Sequence, residues 1–456
     1  MLFPTFTFIL GFLPLTAAGY FLLAKSNLRL ARYYLIIASF VFYSWFNWSY
    51  SLILAGSILG NWCFAQWLIR NRSKVVLALG ITVNVILLGY FKYYDFFIGN
   101  INAVFGTSLL FKHILLPLGI SFFTFQQISF LQLVFAGELG MRLTFSNYAL
   151  FVCFFPQLIA GPIVLPNEMM PQFDRKENSR PNAANIASGL YIFALGLAKK
   201  ILLADFFAEI ADAGFAELDG NFFSAWSSVL AYAFQIYFDF SGYCDMAIGV
   251  GLIFNIRLPV NFNAPYRAEN IADFWRKWHI TLGRFLMSGV YIPLGGNRKG
   301  KVRTLLNLLI TFFISGLWHG ASWLFVLWGM LHGAALIIHR VWSKFFNCQM
   351  AKLPAQMLTF FFVMLAWIPF RAPDWHSCCT IFKTLFAPSS WHFSMPQWQN
   401  ILLFVSAIVI VLFFTPAPEM EKKFRPTWVN ALLTAALIVW SMFLFVKVSP
   451  FIYFNF

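Results

Sequence analysis

The sequence predicts an all-α, polytopic membrane protein, and its composition leads to this fold class. Hydrophobic residues make up 60% of the 456 residues and charged residues only 11%, and the mean hydropathy is +0.72. Soluble domains carry roughly 25% charged residues, so this chain has too few polar side chains to cover a surface in water. At about 20 residues for each span, about eleven transmembrane helices fit into one domain over residues 1–456.

The net charge of +15 does not indicate a nucleic-acid partner, because no basic stretch belongs to a recognisable nucleic-acid-binding motif. Lys and Arg instead lie in short loops, where they orient a membrane protein and contact anionic lipid. Two such loops, around Arg29 and Arg72, flank a pair of apolar runs. This pattern predicts that both loops are cytoplasmic and that the N-terminus lies outside.

The spacing of the cysteines, and the absence of motifs that soluble enzymes use for catalysis, argue against several classes of site. The six cysteines include no C-x-x-C pair and mostly lie in apolar sequence, so we predict neither a disulfide framework nor a metal site. The adjacent Cys378 and Cys379 are expected in a loop. No H-E-x-x-H zinc motif and no G-x-S-x-G nucleophile elbow occur in the sequence, so serine catalysis on a known scaffold is not supported.

The apolar runs, taken in order, predict the spans. The first run, 1–24, has no positive residues before it, which favours a retained span over a cleaved signal peptide. Residues 145–165 contain Pro156 and Pro162 and are expected to form a span or a re-entrant segment. Residues 222–256 are long enough for two short spans. The other spans are predicted near 31–47, 49–69, 75–93, 115–137, 185–204, 302–318, 321–340, 355–371, 399–416 and 428–448.

Two carboxylates lie in the apolar stretch YFDFSGYCDM, at Asp239 and Asp245. Charge at membrane depth costs several kcal/mol, so such residues are functional candidates. Six helical steps place the two side chains far apart around a helix axis, so they are not an acid–base pair. We favour a structural interpretation, in which each binds an Arg or the backbone amides of a neighbouring segment, and the intervening Ser-Gly indicates a break or close packing.

Residues 261–285 lie within 257–301, the most polar part of the chain. Asn270 is suited to cap a helix whose first turn contains Asp273, and the apolar positions that follow recur at helical spacing. The pattern predicts one amphipathic helix lying in a membrane interface. His279 falls beside its apolar face, where it is either a packing residue or a catalytic imidazole.

The stretch YIPLGGNRKGK, residues 291–301, predicts a tight turn that ends in a basic patch. It lacks the spacing of a phosphate-binding P-loop. Its lysines, Lys299 and Lys301, are suited to contact an anionic carrier or coenzyme, and contact with anionic lipid is the alternative.

Two further histidines, His319 and His332, lie in the apolar run 315–333. They are 13 positions apart, so on one continuous helix they would lie about 20 Å apart and would not share a small substrate. We therefore expect one to be catalytic and the other structural. Neutral imidazole is a good general base near pH 7.

Seven segments together resemble the membrane-bound O-acyltransferases, most closely the branch that includes the bacterial alginate O-acetylation membrane subunit. They keep the order and spacing of that family over most of the chain. The segments are LPLGISFFTFQQISFL (116–131), FFPQLIAGPI (154–163), GLAKKILLAD (196–205), FQIYFDFSGYCDMAIG (234–249), PVNFNAPYRAENIADFWRKWHITL (259–282), YIPLGGNRKG (291–300) and GLWHGASWLFVLWGMLHG (316–333).

The resemblance implies roles for individual residues. His319 matches the family's catalytic histidine and would act as general base, while His279 would position the acyl donor or polarise its carbonyl. The implied fold is a ring of helices around a thin waist, with a central tunnel and short interfacial helices. Further candidates for the tunnel or the donor site are Trp318, Trp323, His332, Asp239, Asp245, Asn297 and Lys299.

The resemblance also implies the reaction and its setting. An acyl group, acetyl in our prediction, would move from a cytoplasmic thioester, acetyl-CoA or an acyl carrier protein, to a hydroxyl of an envelope or exported polysaccharide. No bound cofactor or metal is implied. The protein would lie in a bacterial cytoplasmic (inner) membrane and act directly or through an extracytoplasmic acetyltransferase partner.

Four positions depart from the family pattern. Leu133 and Ala136 stand where relatives usually carry Asp and Arg, and Met287 and Ser288 stand where they usually carry Arg and Asp. Joint loss of both partners of an ion pair is nearly neutral, whereas loss of one is not. The departures keep a non-catalytic scaffold open as an alternative, and the intramembrane charges keep a transporter or flippase open.

Overall fold

The structure, a computed structural model, describes residues 1–45, 47–140, 143–216, 221–345, 350–387, 398–445 and 451–452, with backbone only at 398–399. Throughout these ranges every regular element is helical, which confirms the predicted all-α class. Cys348 and the last residues of the predicted span near 428–448 lie outside the described residues.

Twenty α-helices are present in the described part of the chain. Wider, π-helical turns at Thr7–Phe12, Lys199–Ala204 and Met287–Tyr291 continue three of them. The helices are α1 Leu13–Ser26, α2 Leu28–Ser44, α3 Trp48–Arg70, α4 Lys74–Phe105, α5 Ile120–Ala136, α6 Phe145–Cys153, α7 Phe155–Leu158, α8 Pro166–Met169, α9 Ala183–Ala198, α10 Asp205–Ala216, α11 Phe222–Ile253, α12 Ile271–Lys277, α13 Ile280–Leu286, α14 Lys301–His319, α15 Trp323–Phe345, α16 Lys352–Arg371, α17 Trp375–Phe386, α18 Trp398–Phe413, α19 Ala417–Lys423 and α20 Trp428–Phe443.

Eight helices in the described ranges are long and apolar enough to cross a membrane, so the protein is a multi-pass membrane protein. A ninth candidate consists of α18 and α19, which meet at a bend of 56°. The eight are Thr7–Ser26, Trp48–Arg70, Lys74–Phe105, Ala183–Ala216, Phe222–Ile253, Lys301–His319, Trp323–Phe345 and Lys352–Arg371.

The chain divides into two compact units, each assembled from separate stretches of sequence. The first contains Met1–Leu195, Tyr243–Pro259 and Phe424–Phe445. The second contains Gly196–Gly242, Val260–Lys423 and Val446–Phe456. All three candidate histidines belong to the second unit.

The prediction of two short spans over 222–256 is wrong, because α11 runs unbroken from Phe222 to Ile253. Its Ser-Gly step serves close packing instead of a break. A Cβ atom on Gly242 would lie 2.7 Å from the carbonyl oxygen of Gly196, so only glycine allows the two backbones to approach this closely.

Residues 145–165 do not form a continuous helix. Helix α6 ends at Cys153, Phe154 interrupts it, and the single turn of α7 contains Pro156. Every residue from 146 to 164 is buried, which is the setting in which broken backbone is tolerated at membrane depth. The prolines therefore mark an interrupted segment enclosed by protein.

The loop expected around Cys378 and Cys379 is instead helix α17. Asp374 begins this helix, since its carboxylate accepts a hydrogen bond from the backbone N–H of Ser377 at 2.8 Å. Such a cap satisfies one of the free donors of the first turn. One cysteine, Cys378, is buried and the other is exposed.

Glycines hold α14 and α15 together as a tight helical hairpin. A Cβ atom on Gly329 would lie 2.2 Å from the carbonyl oxygen of Phe312, and one on Gly316 would lie 2.4 Å from that of Phe325. Small residues at a helix interface let the two backbones touch. This hairpin carries two of the three candidate histidines.

Candidate active site

His279 lies at a break that the sequence analysis did not predict. The single amphipathic helix expected over 271–285 is two helices, α12 and α13, with His279 between them in a left-handed conformation (φ 44°). Asn270 caps α12 as predicted, since its side-chain oxygen accepts a hydrogen bond from the backbone N–H of Asp273 at 2.8 Å. The first turn of helix α13 is capped by Asn261, whose side-chain oxygen accepts a hydrogen bond from the backbone N–H of Thr281 at 3.2 Å.

Asn261 also fixes the proton of His279. Its Oδ1 atom accepts hydrogen bonds from the backbone N–H and, at 2.9 Å, from the hydroxyl of Thr281, which identifies that atom as the oxygen. Nδ1 of His279 lies 3.1 Å from the same oxygen, so Nδ1 carries the proton and donates it. Burial lowers the pKa of His279 to about 3, so its ring is neutral and Nε2 carries the lone pair.

His319 ends helix α14, and the chain turns before α15 begins at Trp323. Ser322 caps α15 by accepting the backbone N–H of Leu324 at 3.2 Å. The predicted separation of about 20 Å between His319 and His332 assumed one continuous helix. The chain instead turns between α14 and α15, so that prediction does not apply. The hairpin brings His319 and His332 to the same neighbour, Trp328.

Trp328 contacts both histidines of the hairpin. Its ring centre lies 4.8 Å from that of His319 and 5.0 Å from that of His332. The ring centre of His319 also lies 6.5 Å from that of His279. Three imidazoles therefore converge in one buried, aromatic part of the second unit.

Trp275 and Trp318 complete this group. The indole N–H of Trp275 donates a hydrogen bond to Nδ1 of His332 at 3.3 Å. The ring of Trp318 lies 4.9 Å from that of His319 and 6.0 Å from that of His279. We call these residues the histidine cluster: His279, His319, His332, Trp275, Trp318 and Trp328.

Asp239 lies in a buried ion pair, in agreement with the favoured structural interpretation. Its carboxylate contacts the ammonium of Lys200 at 2.9 Å and accepts the backbone N–H of Ile452 at 2.7 Å. The same ammonium lies 2.7 Å from Asp205. Phe240, the next residue after Asp239, places its ring 4.8 Å from that of His279. The ion pair thus fixes a residue that contacts the histidine cluster.

The remaining candidates are not in the buried cluster. Asn297 and Lys299 lie on the exposed turn predicted at 291–301, where Gly295 and Gly296 have positive φ angles of 109° and 52°. Trp323 is 49% exposed. Asp245 is buried in the first unit.

Sequence reasoning missed Asn261, Trp275 and Trp328. A signal existed for Trp328, which stands four positions before His332, and residues at that spacing share one face of a helix. No local signal marked Asn261, because its partners lie 18 and 20 positions away.

This geometry defines a class of protein. It is a multi-pass membrane protein with three buried imidazoles in one cluster, and imidazole is the commonest general base in enzymes. A match to a family model then specifies the class further. Residues 102–372 match the membrane-bound O-acyltransferase (MBOAT) family. The chain belongs to the membrane-bound O-acyltransferase family, and it is a membrane acyltransferase.

Curated relatives agree with this assignment. The peptidoglycan O-acetyltransferase of Helicobacter pylori is 46% identical over 84% of this chain and 79% of its own length. A probable alginate O-acetylase, AlgI, of Pseudomonas putida is 34% identical over the full length of both chains. A teichoic acid D-alanyltransferase of Streptococcus thermophilus is 29% identical over 50% of this chain and 57% of its own. The family resemblance is therefore confirmed.

Proposed function

We propose that the protein is an O-acetyltransferase that moves acetyl from a cytoplasmic thioester to a hydroxyl of an envelope or exported polysaccharide. The observation that carries this proposal is the convergence of His279, His319 and His332 inside the region that matches the family. The names of two relatives, a peptidoglycan O-acetyltransferase and a probable alginate O-acetylase, support acetyl as the acyl group and polysaccharide as the acceptor.

His319 is the proposed general base. Its imidazole takes the proton of the acceptor hydroxyl while the hydroxyl oxygen forms a bond to the thioester carbonyl carbon. The carbonyl electron pair moves onto oxygen, and it returns as the carbon–sulfur bond breaks. The departing thiolate takes the proton back from the imidazolium, so the products are an ester and a thiol. Proton transfer of this kind contributes roughly 10²–10⁴-fold to a rate.

His279 is the proposed positioning residue. Because Asn261 places the proton on Nδ1, Nε2 of the neutral ring accepts hydrogen bonds and does not donate them. This tautomer favours orienting a hydroxyl or another donor over polarising a carbonyl. Trp318, in contact with both His279 and His319, is suited to line the path that a substrate takes.

The exposed basic turn supports a donor site at the cytoplasmic face. Lys299 offers an ammonium for the phosphates of acetyl-CoA or for an acidic acyl carrier protein. Asn297 is held in place there, since the hydroxyl of Tyr291 donates a hydrogen bond to it at 2.5 Å. We propose Trp323, exposed at the start of α15, and the buried Asp245 as further candidates for the tunnel.

The proposed topology has eleven spans around a central tunnel, with residues 1–456 acting as one membrane-embedded domain. The eight long helices, the bent pair and the shorter apolar helices Ile120–Ala136 and Trp428–Phe443 together supply this number. The charge pattern of the first loops supports an N-terminus outside a bacterial cytoplasmic membrane. An extracytoplasmic acetyltransferase partner that passes acetyl to the polysaccharide fits this arrangement.

The four departures from the family pattern are compatible with activity. Ala136, Met287 and Ser288 lie at exposed positions and Leu133 is half-buried. Ion pairs at exposed positions contribute little to stability. Because both partners of each pair are replaced, no unpaired charge is left behind. A scaffold that only recruits an acetyltransferase remains the second candidate.

The test is the O-acetyl content of the envelope and exported polysaccharides in a deletion strain that carries wild type or variants at matched protein levels. We expect His319→Ala to remove the esters, whereas His376→Ala, at an exposed position of α17, retains them. Esters that survive His319→Ala but disappear on deletion would favour the scaffold. Ester content that never depends on the protein would contradict the proposed function and favour transport.

A further inference from the structure

Two buried N–H groups of the histidine cluster have no acceptor within the part of the chain that the structure describes. One is the indole Nε1 of Trp328, and the other is Nε2 of His332. Both side chains are 0% exposed. A buried polar group without a partner opposes folding, so two of them in the histidine cluster require an explanation.

Trp275 determines that Nε2 of His332 is a donor. An indole nitrogen can only donate a hydrogen bond, so Nδ1 of His332 must accept the bond from Trp275. A neutral imidazole with an accepting Nδ1 carries its proton on Nε2. His332 is thus the opposite tautomer of His279, whose Nε2 accepts.

Trp328 and His332 present their donors from one face of α15. They are four positions apart, which places them one above the other on a helix, and their ring centres are 5.0 Å apart. The ring of Trp328 contacts His319 at 4.8 Å. One ring, that of Trp328, therefore contacts both the proposed base and His332.

We infer that the N–H groups of Trp328 and His332 bind the carbonyl oxygen of the acyl donor and stabilise its negative charge in the transition state. This inference rests on the proposed acyl transfer. As the acceptor oxygen attacks, the carbonyl electron pair moves onto the carbonyl oxygen, and preorganised N–H donors in a water-excluded site stabilise that charge. His279 cannot take this role while its Nε2 accepts. Trp275 is a positioning residue, because it acts through His332.

The first test compares Trp328→Phe with Trp367→Phe in the purified full-length protein, with acetyl-CoA as donor and a peptidoglycan disaccharide as acceptor. Both changes replace an indole by a phenyl ring in the same aromatic packing, since the two rings lie 5.7 Å apart. The N–H of Trp367 already donates to the hydroxyl of Tyr266 at 3.3 Å. We expect Trp328→Phe to lower kcat about 10²–10³-fold with little change in KM, and Trp367→Phe to lose far less.

Ground-state binding separates this role from a structural one. S-ethyl-CoA lacks the carbonyl oxygen, so wild type and Trp328→Phe should bind it with the same Kd. An active wild type in which Trp328→Phe and Trp367→Phe have equal kcat would contradict the inference alone. If the wild-type protein transfers no acetyl from any thioester donor, that result would contradict the proposed function and the inference with it.

The second test uses His332. In His332→Gln the amide N–H₂ can take the place of Nε2–H, whereas His332→Met has a similar length and no donor. We expect the Gln variant to retain at least about tenfold more kcat than the Met variant, as the loss of one donor costs about 10²–10³-fold. Trp275→Phe should have an intermediate effect, because it frees the imidazole to adopt either tautomer. Equal kcat in the Gln and Met variants, both folded, would overturn the assignment of His332.

Discussion

Asn261 accepts a hydrogen bond from Nδ1 of His279 at 3.1 Å, and it does so with the oxygen that also caps helix α13. One amide therefore sets both the backbone break and the tautomer of the histidine within it. The arrangement resembles the outer contacts that orient metal-bound or catalytic histidines, whose loss typically costs 10–100-fold in activity.

We predict that Asn261→Ala lowers acetyl transfer about 10–100-fold, because His279 loses its orientation and α13 loses its cap. Asn84→Ala is the control, since it removes an equally buried amide that pairs with Asn61 in the first unit. The O-acetyl content of the polysaccharide, compared at matched protein levels, measures the activity of both variants. Equal losses in the two variants would show that the effect of Asn261 is merely structural.

Acid should destabilise the protein through His279. Its pKa is about 3 in the folded protein against an ordinary 6.5, so between these values the unfolded state binds more protons than the folded state. Stability is therefore unaffected above pH 6.5 and falls as the pH drops towards 3, by about 1.4 kcal/mol per pH unit for this group.

The variant His279→Asn should have a shallower decline of Tm between pH 6.5 and 4 than wild type. Asparagine tolerates the left-handed backbone at this position. His376→Asn, at an exposed position, should keep the wild-type slope. Thermal unfolding in detergent across this pH range measures the difference, and parallel curves for all three proteins would refute the prediction.

Lys200 should be essential to stability because it pairs with the buried carboxylate of Asp239 and the mostly buried one of Asp205. Lys200→Met removes the ammonium that pairs with the buried Asp239, and breaking a buried pair from one side costs about 3–5 kcal/mol. Adding Asp205→Asn and Asp239→Asn should restore most of this loss. Chemical denaturation in detergent measures the free energy of unfolding of each variant.

Lys277 provides the control for that experiment. It contacts Asp273 at the same 2.7 Å distance, but its side chain is 29% exposed. Lys277→Met should therefore cost less than about 1 kcal/mol. A similar cost at Lys200 and Lys277 would show that burial does not determine the contribution of these pairs.

Gly329→Ala should separate the hairpin that carries His319 and His332. The added methyl group would lie 2.2 Å from the carbonyl oxygen of Phe312, so the helices must move apart at a cost of about 1–3 kcal/mol. Activity should fall along with Tm.

Gly56→Ala, in α3, is the matched substitution, because nothing lies within 4 Å of its added Cβ atom. Alanine favours a helix over glycine by up to about 1 kcal/mol, so this variant should be neutral or slightly more stable. Full activity in Gly329→Ala would contradict the requirement for a tight hairpin.

Hydropathy was sufficient for the fold class and for most spans. The runs near 49–69 and 302–318, for example, correspond to α3 and α14, because an apolar helix of the length of a bilayer leaves a simple pattern in sequence. The same measure failed at 222–256. A helix enclosed by protein can be long without matching the thickness of a membrane, and α11 is entirely buried over its most apolar window.

The site depended on long-range contacts that periodicity does not report. His279 was a candidate, but the break that displays it comes from Asn261, 18 positions earlier. The shared contact of His319 and His332 with Trp328 depended on a turn made of small, weakly polar residues, which hydropathy barely distinguishes from helix. Family resemblance identified the histidines as important, whereas their proton positions followed only from the named hydrogen bonds.

The bond between Asp239 and Ile452 has a consequence for biosynthesis. The two residues are 213 positions apart, so at about 5–20 residues per second the ribosome needs roughly 10–40 s to supply this partner. Lys200 is already present when Asp239 is made, and the three histidines are complete at residue 332. The nascent chain therefore contains every residue of the histidine cluster well before the segment that secures its neighbour Phe240 has been synthesised.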